Sequence, residues 1–181
     1  MFSFSTEVNI SIIVGAVVFL AVLWSVVAVR HLKSLKKQVY EQWELIDEQL
    51  RKRQSVLPNL IETVRIFAKD KEELLEKMIV ARMKAAKEYS RGVEKIEYEH
   101  DLSMVINEVV ALEKENADLA KDTNFLELKT EIGELGNDLE EEVKRYNEMV
   151  RYYNGHRNMA VLRPIASVYK FGILNIFEVE S

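Results

Sequence analysis

Residues 8–29 read VNISIIVGAVVFLAVLWSVVAV, 22 consecutive positions without a charge. As a helix this run covers about 33 Å, close to the hydrocarbon thickness of a bilayer. Only Asn9, Ser11 and Ser25 interrupt its apolar character, while Ile10, Ile12, Ile13, Phe19, Leu20, Leu23 and Trp24 supply bulk. A cleaved leader has a basic start, a shorter apolar core and a small-residue cleavage site. Here Glu7 precedes the run, no Lys or Arg does, and the run passes straight into charged sequence. The segment is therefore predicted to be a permanent single-pass transmembrane helix.

Its flanks set the expected orientation. One acid lies before the run, and Arg30, Lys33, Lys36 and Lys37 follow it. Positive residues tend to stay on the cytoplasmic side. Residues 1–7 are thus expected outside, 8–29 in the bilayer, and 30–181 as a cytoplasmic helical domain. The four cations are also candidate contacts for anionic lipid headgroups, at about 1 kcal/mol each near the surface.

Composition bounds the remainder. Without cysteine, disulfides, thiol nucleophiles and thiolate metal sites are excluded. The net charge of −5 argues against a general nucleic-acid binder, which needs a basic footprint. Two prolines, six glycines and 30% charged residues fit long helices.

Apolar residues run from Leu32 through Leu35, Val39, Trp43, Ile46 and Leu50 to Leu57, almost all at spacings of three and four, along one side of a helix. No Gly or Pro lies between Arg30 and Val56, so the membrane helix is expected to continue into this one as a stalk. Pro58 is expected to kink or tightly break it. A second stripe runs from Leu60 to Tyr89, ending near Ser90, Arg91 and Gly92. A third runs from Leu102 to Leu119, with Asp101 as its expected start. The longest runs from Phe125 to Tyr153, with Asn154 and Gly155 expected to terminate it. Gly133 and Gly136 inside it suggest close packing or a bend. The tail through Pro164, Phe171 and Phe177 is expected to drape on the bundle. The fold class is all-α: one transmembrane helix, then an elongated antiparallel bundle of about four long helices.

Catalytic chemistry finds little to use. A carboxylate-bridged metal site needs two Glu-x-x-His pairs and two more glutamates. Glu97 and His100 form one such pair, in a charged stretch read as a connection between helices. Glu62, Glu72, Glu73 and Glu76 are interspersed with Lys69, Lys71 and Lys77 and read as surface pairing. No serine elbow or phosphate loop is present. The reading names no catalytic, cofactor-binding or metal residue. Trp43, Tyr146 and Tyr153 lie on the apolar stripes and are expected in the core.

Two segments carry a family resemblance. Trp43, Ile46-Asp47, Gln49-Leu50-Arg51, Arg53 and then Pro58-Asn59-Leu60 follow in order, and Arg82, Asn124-Phe125, Tyr146-Asn147 and Tyr153-Asn154 come later. This pattern resembles the signature of the LemA family over nearly the whole chain. Arg163-Pro164 stands where an aromatic-proline pair is usual, and Leu135-Gly136 where Thr-Glu is usual. The resemblance implies a membrane-anchored, mostly antiparallel helical domain on the cytoplasmic side of the bacterial inner membrane. It implies no established catalytic activity, and one branch takes part in building magnetosome membranes, an intracellular organelle.

Physical roles for these positions follow without chemistry. Asp47, Arg51 and Arg53 are expected to form a partly buried polar cluster, and Asn59 to satisfy backbone groups freed at Pro58. Tyr146 and Tyr153 share a helix face, with hydroxyls expected to bond a neighbouring helix. The leading functional expectation is a noncatalytic, membrane-tethered scaffold that binds an unknown membrane or cytoplasmic protein, or itself as a homo-oligomer. A membrane-remodelling factor and a metal-dependent bundle enzyme are the alternatives. Uncovered apolar surface is expected on the third helix or the tail.

Overall fold

The computed structural model describes residues 3–86 and 93–177, with side chains from 11–86 and 98–177. Five α-helices follow in chain order: α1 (Ser3–Phe67), α2 (Glu72–Ala85), α3 (Val93–Ala111), α4 (Thr123–Asn158) and α5 (Arg163–Val168). Short 3₁₀ turns occupy Lys69–Lys71, Leu112–Lys114 and Leu119–Lys121. The described residues contain no strand. The all-α expectation of one long apolar amino-terminal helix and four long helices therefore holds.

The apolar run and the following stripe form one helix, α1, which continues through Pro58. Of the two expectations at Pro58, the break is overturned, since the helix leaves the helical region only at Ala68, with φ of −121° and ψ of 60°. The polar triplet Lys69-Asp70-Lys71 interrupts the apolar spacing there. Proline lacks an N–H, so Pro58 leaves the carbonyl of Gln54 without its helical donor. Arg82 of α2 supplies one, its Nε lying 3.2 Å from that carbonyl oxygen. Asn59, expected to do this, is exposed instead.

Three other boundaries also differ from expectation. Asp101 lies inside α3, because a helix beginning at Val93 absorbs the charged stretch around Glu97 and His100. Leu112 and Leu119 remain buried, but in the 3₁₀ turns after α3. Helix α4 passes through Asn154 and Gly155 to Asn158, because the Asn154 side chain is engaged with the tail and caps nothing. The expected end near Ser90, Arg91 and Gly92 lies outside the described residues.

The chain divides into two compact units, Met1–Tyr40 with Met149–Leu174, and Glu41–Glu148 with Asn175–Ser181. The second holds the larger core. Leu57, Leu60 and Val64 of α1, Leu75 and Met78 of α2, Leu102, Ile106 and Val109 of α3, and Phe125 and Leu128 of α4 pack together in it. Helices α2 and α3 pack closely against each other within it. Asn116 ties the link before α4 to this core. Its Nδ2 donates to the Phe67 carbonyl at 2.8 Å, taking up a carbonyl left open at the end of α1, and its Oδ1 accepts from the amides of Asp118 and Leu119. Asp122 then caps α4 by accepting the Phe125 amide at 2.8 Å, which explains why the apolar pattern lapses there.

Gly133 and Gly136 need no special account of packing. A Cβ at either would meet nothing within 4 Å, and α4 is unbroken around both. The close-packing reading is thereby corrected.

In the first unit, Leu32 and Val29 of α1 pack against Leu162, Ala166 and Phe171. Helix α5 ends in a Schellman motif: the Lys170 amide donates to the Ser167 carbonyl, and the Phe171 amide to the Ala166 carbonyl. Lys170 takes the left-handed position with φ of 52°.

Candidate functional site

The motif side chains act mainly on the chain's own backbone. Within the second unit, Trp43 sits against Tyr146 and Phe177, with ring centroids 5.6 Å from each. Ile46, Leu50 and Val143 complete that cluster. The Tyr146 hydroxyl donates to the Asn175 carbonyl at 3.3 Å. Asn147 holds Phe177 by both of its backbone groups, donating to the carbonyl at 2.6 Å and accepting from the amide. Within the first unit the same device recurs one heptad later. Asn154 donates to the Leu174 carbonyl at 2.7 Å and accepts its amide at 3.1 Å. The Tyr153 hydroxyl donates to the Gly172 carbonyl at 2.9 Å. Arg157 adds a bond to the Phe171 carbonyl at 2.7 Å.

These bonds explain the repeated Tyr-Asn pairs physically. An extended tail exposes unpaired amides and carbonyls, and a side-chain amide offers both a donor and an acceptor in one plane. The tyrosine hydroxyls reach tail carbonyls, not a neighbouring helix, which corrects the expected partner. Tyr153 is fully buried, and burial pushes its phenol above its ordinary value of 10.0 while Arg157 acts in the opposite direction.

The expected Asp47, Arg51 and Arg53 cluster separates into two. Arg51 pairs with Asp47 one turn away at 2.9 Å on an exposed face. Arg53 is buried and faces the buried Glu99 of α3 at 3.8 Å. Desolvation lowers the guanidinium's proton affinity, and Glu99 partly restores it. Gln54 also donates to Glu99 at 3.1 Å. Gln49 is half-buried, Asn124 donates to the buried Thr63 hydroxyl at 2.7 Å, and Leu60 and Phe125 lie in the core.

Sequence reasoning missed Gln42, Asn116, Asp122 and Arg157. Gln42 donates to the carbonyl and carboxylate of Glu142, and nothing in local spacing links positions 100 residues apart. A capping signal was present for Asp122, since Asp is among the residues preferred at a helix start just ahead of an apolar-periodic stretch.

An open groove between α2 and α3 is lined by Tyr98, Met104 and Val105 together with Glu73, Glu76 and His100. No group of three metal-ligating side chains occurs among the described residues. The Glu97 side chain lies outside them. Glu72 and Glu73 of α2 form surface pairs instead, with Arg65 at 3.5 Å and Lys77 at 3.4 Å.

The profile of the LemA family matches residues 42–181. The chain belongs to the LemA family. The matched segment begins at Gln42 and contains Trp43, Pro58, Arg82 and both Tyr-Asn pairs. Among curated proteins, none matches this LemA-family chain. Ahead of the matched segment, the side chains from Ile12 to Val27 are large, apolar and uncovered, apart from Ser25 and the small Gly15, Ala16 and Ala21. The helix carrying them is long and apolar enough to cross a membrane. Family and segment together mark a membrane-associated protein. Arg30, Lys33 and Lys37 lie exposed just beyond it, and Lys36 sits over the Tyr40 ring at 5.6 Å.

Proposed function

We propose that this LemA-family protein is a noncatalytic, membrane-tethered helical scaffold that presents its larger unit to other proteins beneath the bacterial inner membrane, with the amino terminus outside. The observation that carries the proposal is the use made of the motif. Arg82, Asn124, Tyr146, Asn147, Tyr153 and Asn154 each bond to another part of the same chain. A catalytic motif would direct several of its polar groups to one space where a reacting atom fits. These groups instead secure a proline-containing helix, a helix start and an extended tail.

The anchor reading is supported by burial along α1. Burial begins only at Ala28 and Leu32, where the apolar run ends. An uncovered helix of that length is costly in water and comfortable in hydrocarbon. Arg30, Lys33, Lys36 and Lys37 support the proposed orientation.

In-cell crosslinking of the full chain, read by mass spectrometry, tests the proposal. A reproducible protein partner crosslinked to residues 41–148 is the expected result. Turnover of a small molecule by purified protein, abolished by one motif substitution that leaves helicity intact, would overturn it.

A further inference from the structure

The two compact units differ sharply in charge. Arg30, Lys33, Lys36 and Lys37 share the first unit with Arg151, Arg157, Arg163 and Lys170, and Glu7 is its one acid. Eight cations against one acid leave that unit at +7 and the other at −12, within a chain of −5. The basic unit is the one that contains the apolar run.

The fold fixes where its later cations lie. Val29, the last apolar residue of the run, and Leu32 pack against Leu162, Ala166 and Phe171. Helix α5 and its flanks therefore sit at the level where hydrocarbon-compatible sequence gives way to cations. Several large apolar residues there are uncovered, Val161, Val168, Tyr169 and Ile173, with Val168 exposed by 75%, and Arg163 and Lys170 are exposed among them. Exposed aliphatic groups, an exposed tyrosine and nearby Arg and Lys are the composition of an element lying in a membrane interface.

Lys170 adds an independent sign. It occupies the left-handed C′ position of the Schellman motif, where glycine is the unstrained choice. A lysine is held there at a conformational cost, between the exposed Tyr169 and the buried Phe171.

From these observations we infer that residues 159–173 form a second membrane-contacting element, which inserts Val161, Val168 and Tyr169 among the headgroups of the bilayer that holds α1 and uses Arg163 and Lys170 to attract anionic lipid. The inference rests on the anchored reading above. It assigns the carboxy-terminal region a direct lipid contact, beyond the tether itself.

The absence of native cysteine allows single labels in the full chain. V18C, V168C and K144C each receive a polarity-sensitive fluorophore, and the proteins are placed in nanodiscs of brominated phosphatidylcholine with or without phosphatidylglycerol. Quenching of V18C and V168C, but not of K144C, is expected. If V18C is unquenched, the anchored reading itself fails. If V18C is quenched while V168C behaves like K144C, or crosslinks to a second copy, this inference alone is overturned. The variant K170G separates lipid contact from a structural role. Relief of strain should raise Tm by about 2 °C, yet the docked-to-free ratio at V168C should fall about fivefold in phosphatidylglycerol discs. A more stable K170G protein with unchanged quenching would overturn the assignment of Lys170.

Discussion

Arg82 and Pro58 offer a direct test of how the motif works. If Arg82 compensates for the donor that proline lacks, its value must depend on that proline. A hydrogen bond from a charged donor contributes about 1.5–3 kcal/mol. Gln54 is half-buried and the bond is 3.2 Å long, so the lower end applies. R82M, which keeps much of the stem's packing, should therefore cost about 1.5 kcal/mol. P58A restores an amide that can donate to the Gln54 carbonyl within α1. In that background R82M should cost about 0.5 kcal/mol, a coupling near 1 kcal/mol. The assay is equilibrium unfolding of the four proteins in mild detergent, followed by helical circular dichroism. Additive losses, within about 0.3 kcal/mol, would refute the compensation argument.

Other consequences are equally specific. E99Q leaves the buried Arg53 charge without its counter-ion and should cost about 3 kcal/mol, most of which the double substitution R53M/E99L should recover in the same unfolding assay. G133A and G136A meet open space in an unbroken helix, so each should raise stability by about 0.5–1 kcal/mol. N154A removes two bonds to the tail and should release the Leu174 amide to rapid hydrogen exchange, while core amides near Leu60 keep their protection. Because burial raises the Tyr153 phenol above its ordinary 10.0, its contribution is complete below that pH and is lost as pH rises through the folded value. Y153F should flatten this alkaline loss, seen as a smaller fall in Tm between neutral and strongly alkaline buffer.

Helices with long apolar stripes were legible because their spacing is repeated many times. Leu32 to Leu57 and Phe125 to Tyr153 state their own periodicity, and both lie within continuous helices. The boundaries were less legible because each depended on a partner distant in sequence. Pro58 reads locally as a break until Arg82 is seen at the Gln54 carbonyl that it leaves free. Asn154-Gly155 reads as a helix end until Leu174 is seen occupying the Asn154 side chain. The tail clamp could not be found by periodicity, since an extended tail held by backbone bonds leaves no repeat of its own. The basic unit was half visible: the four cations after the apolar run lie close together in sequence, whereas Arg151, Arg157, Arg163 and Lys170 join them only through the fold.

The central claim is that the LemA motif builds the protein and does not itself act on a ligand. Its most direct measurement sets in-cell crosslinks against folded fraction for R82M, N124A, Y146F and N154A. The account predicts that crosslinks fall only in proportion to folded protein. A variant that stays fully folded and membrane-bound yet loses its crosslinks would contradict it, and would mark that residue as part of a working site.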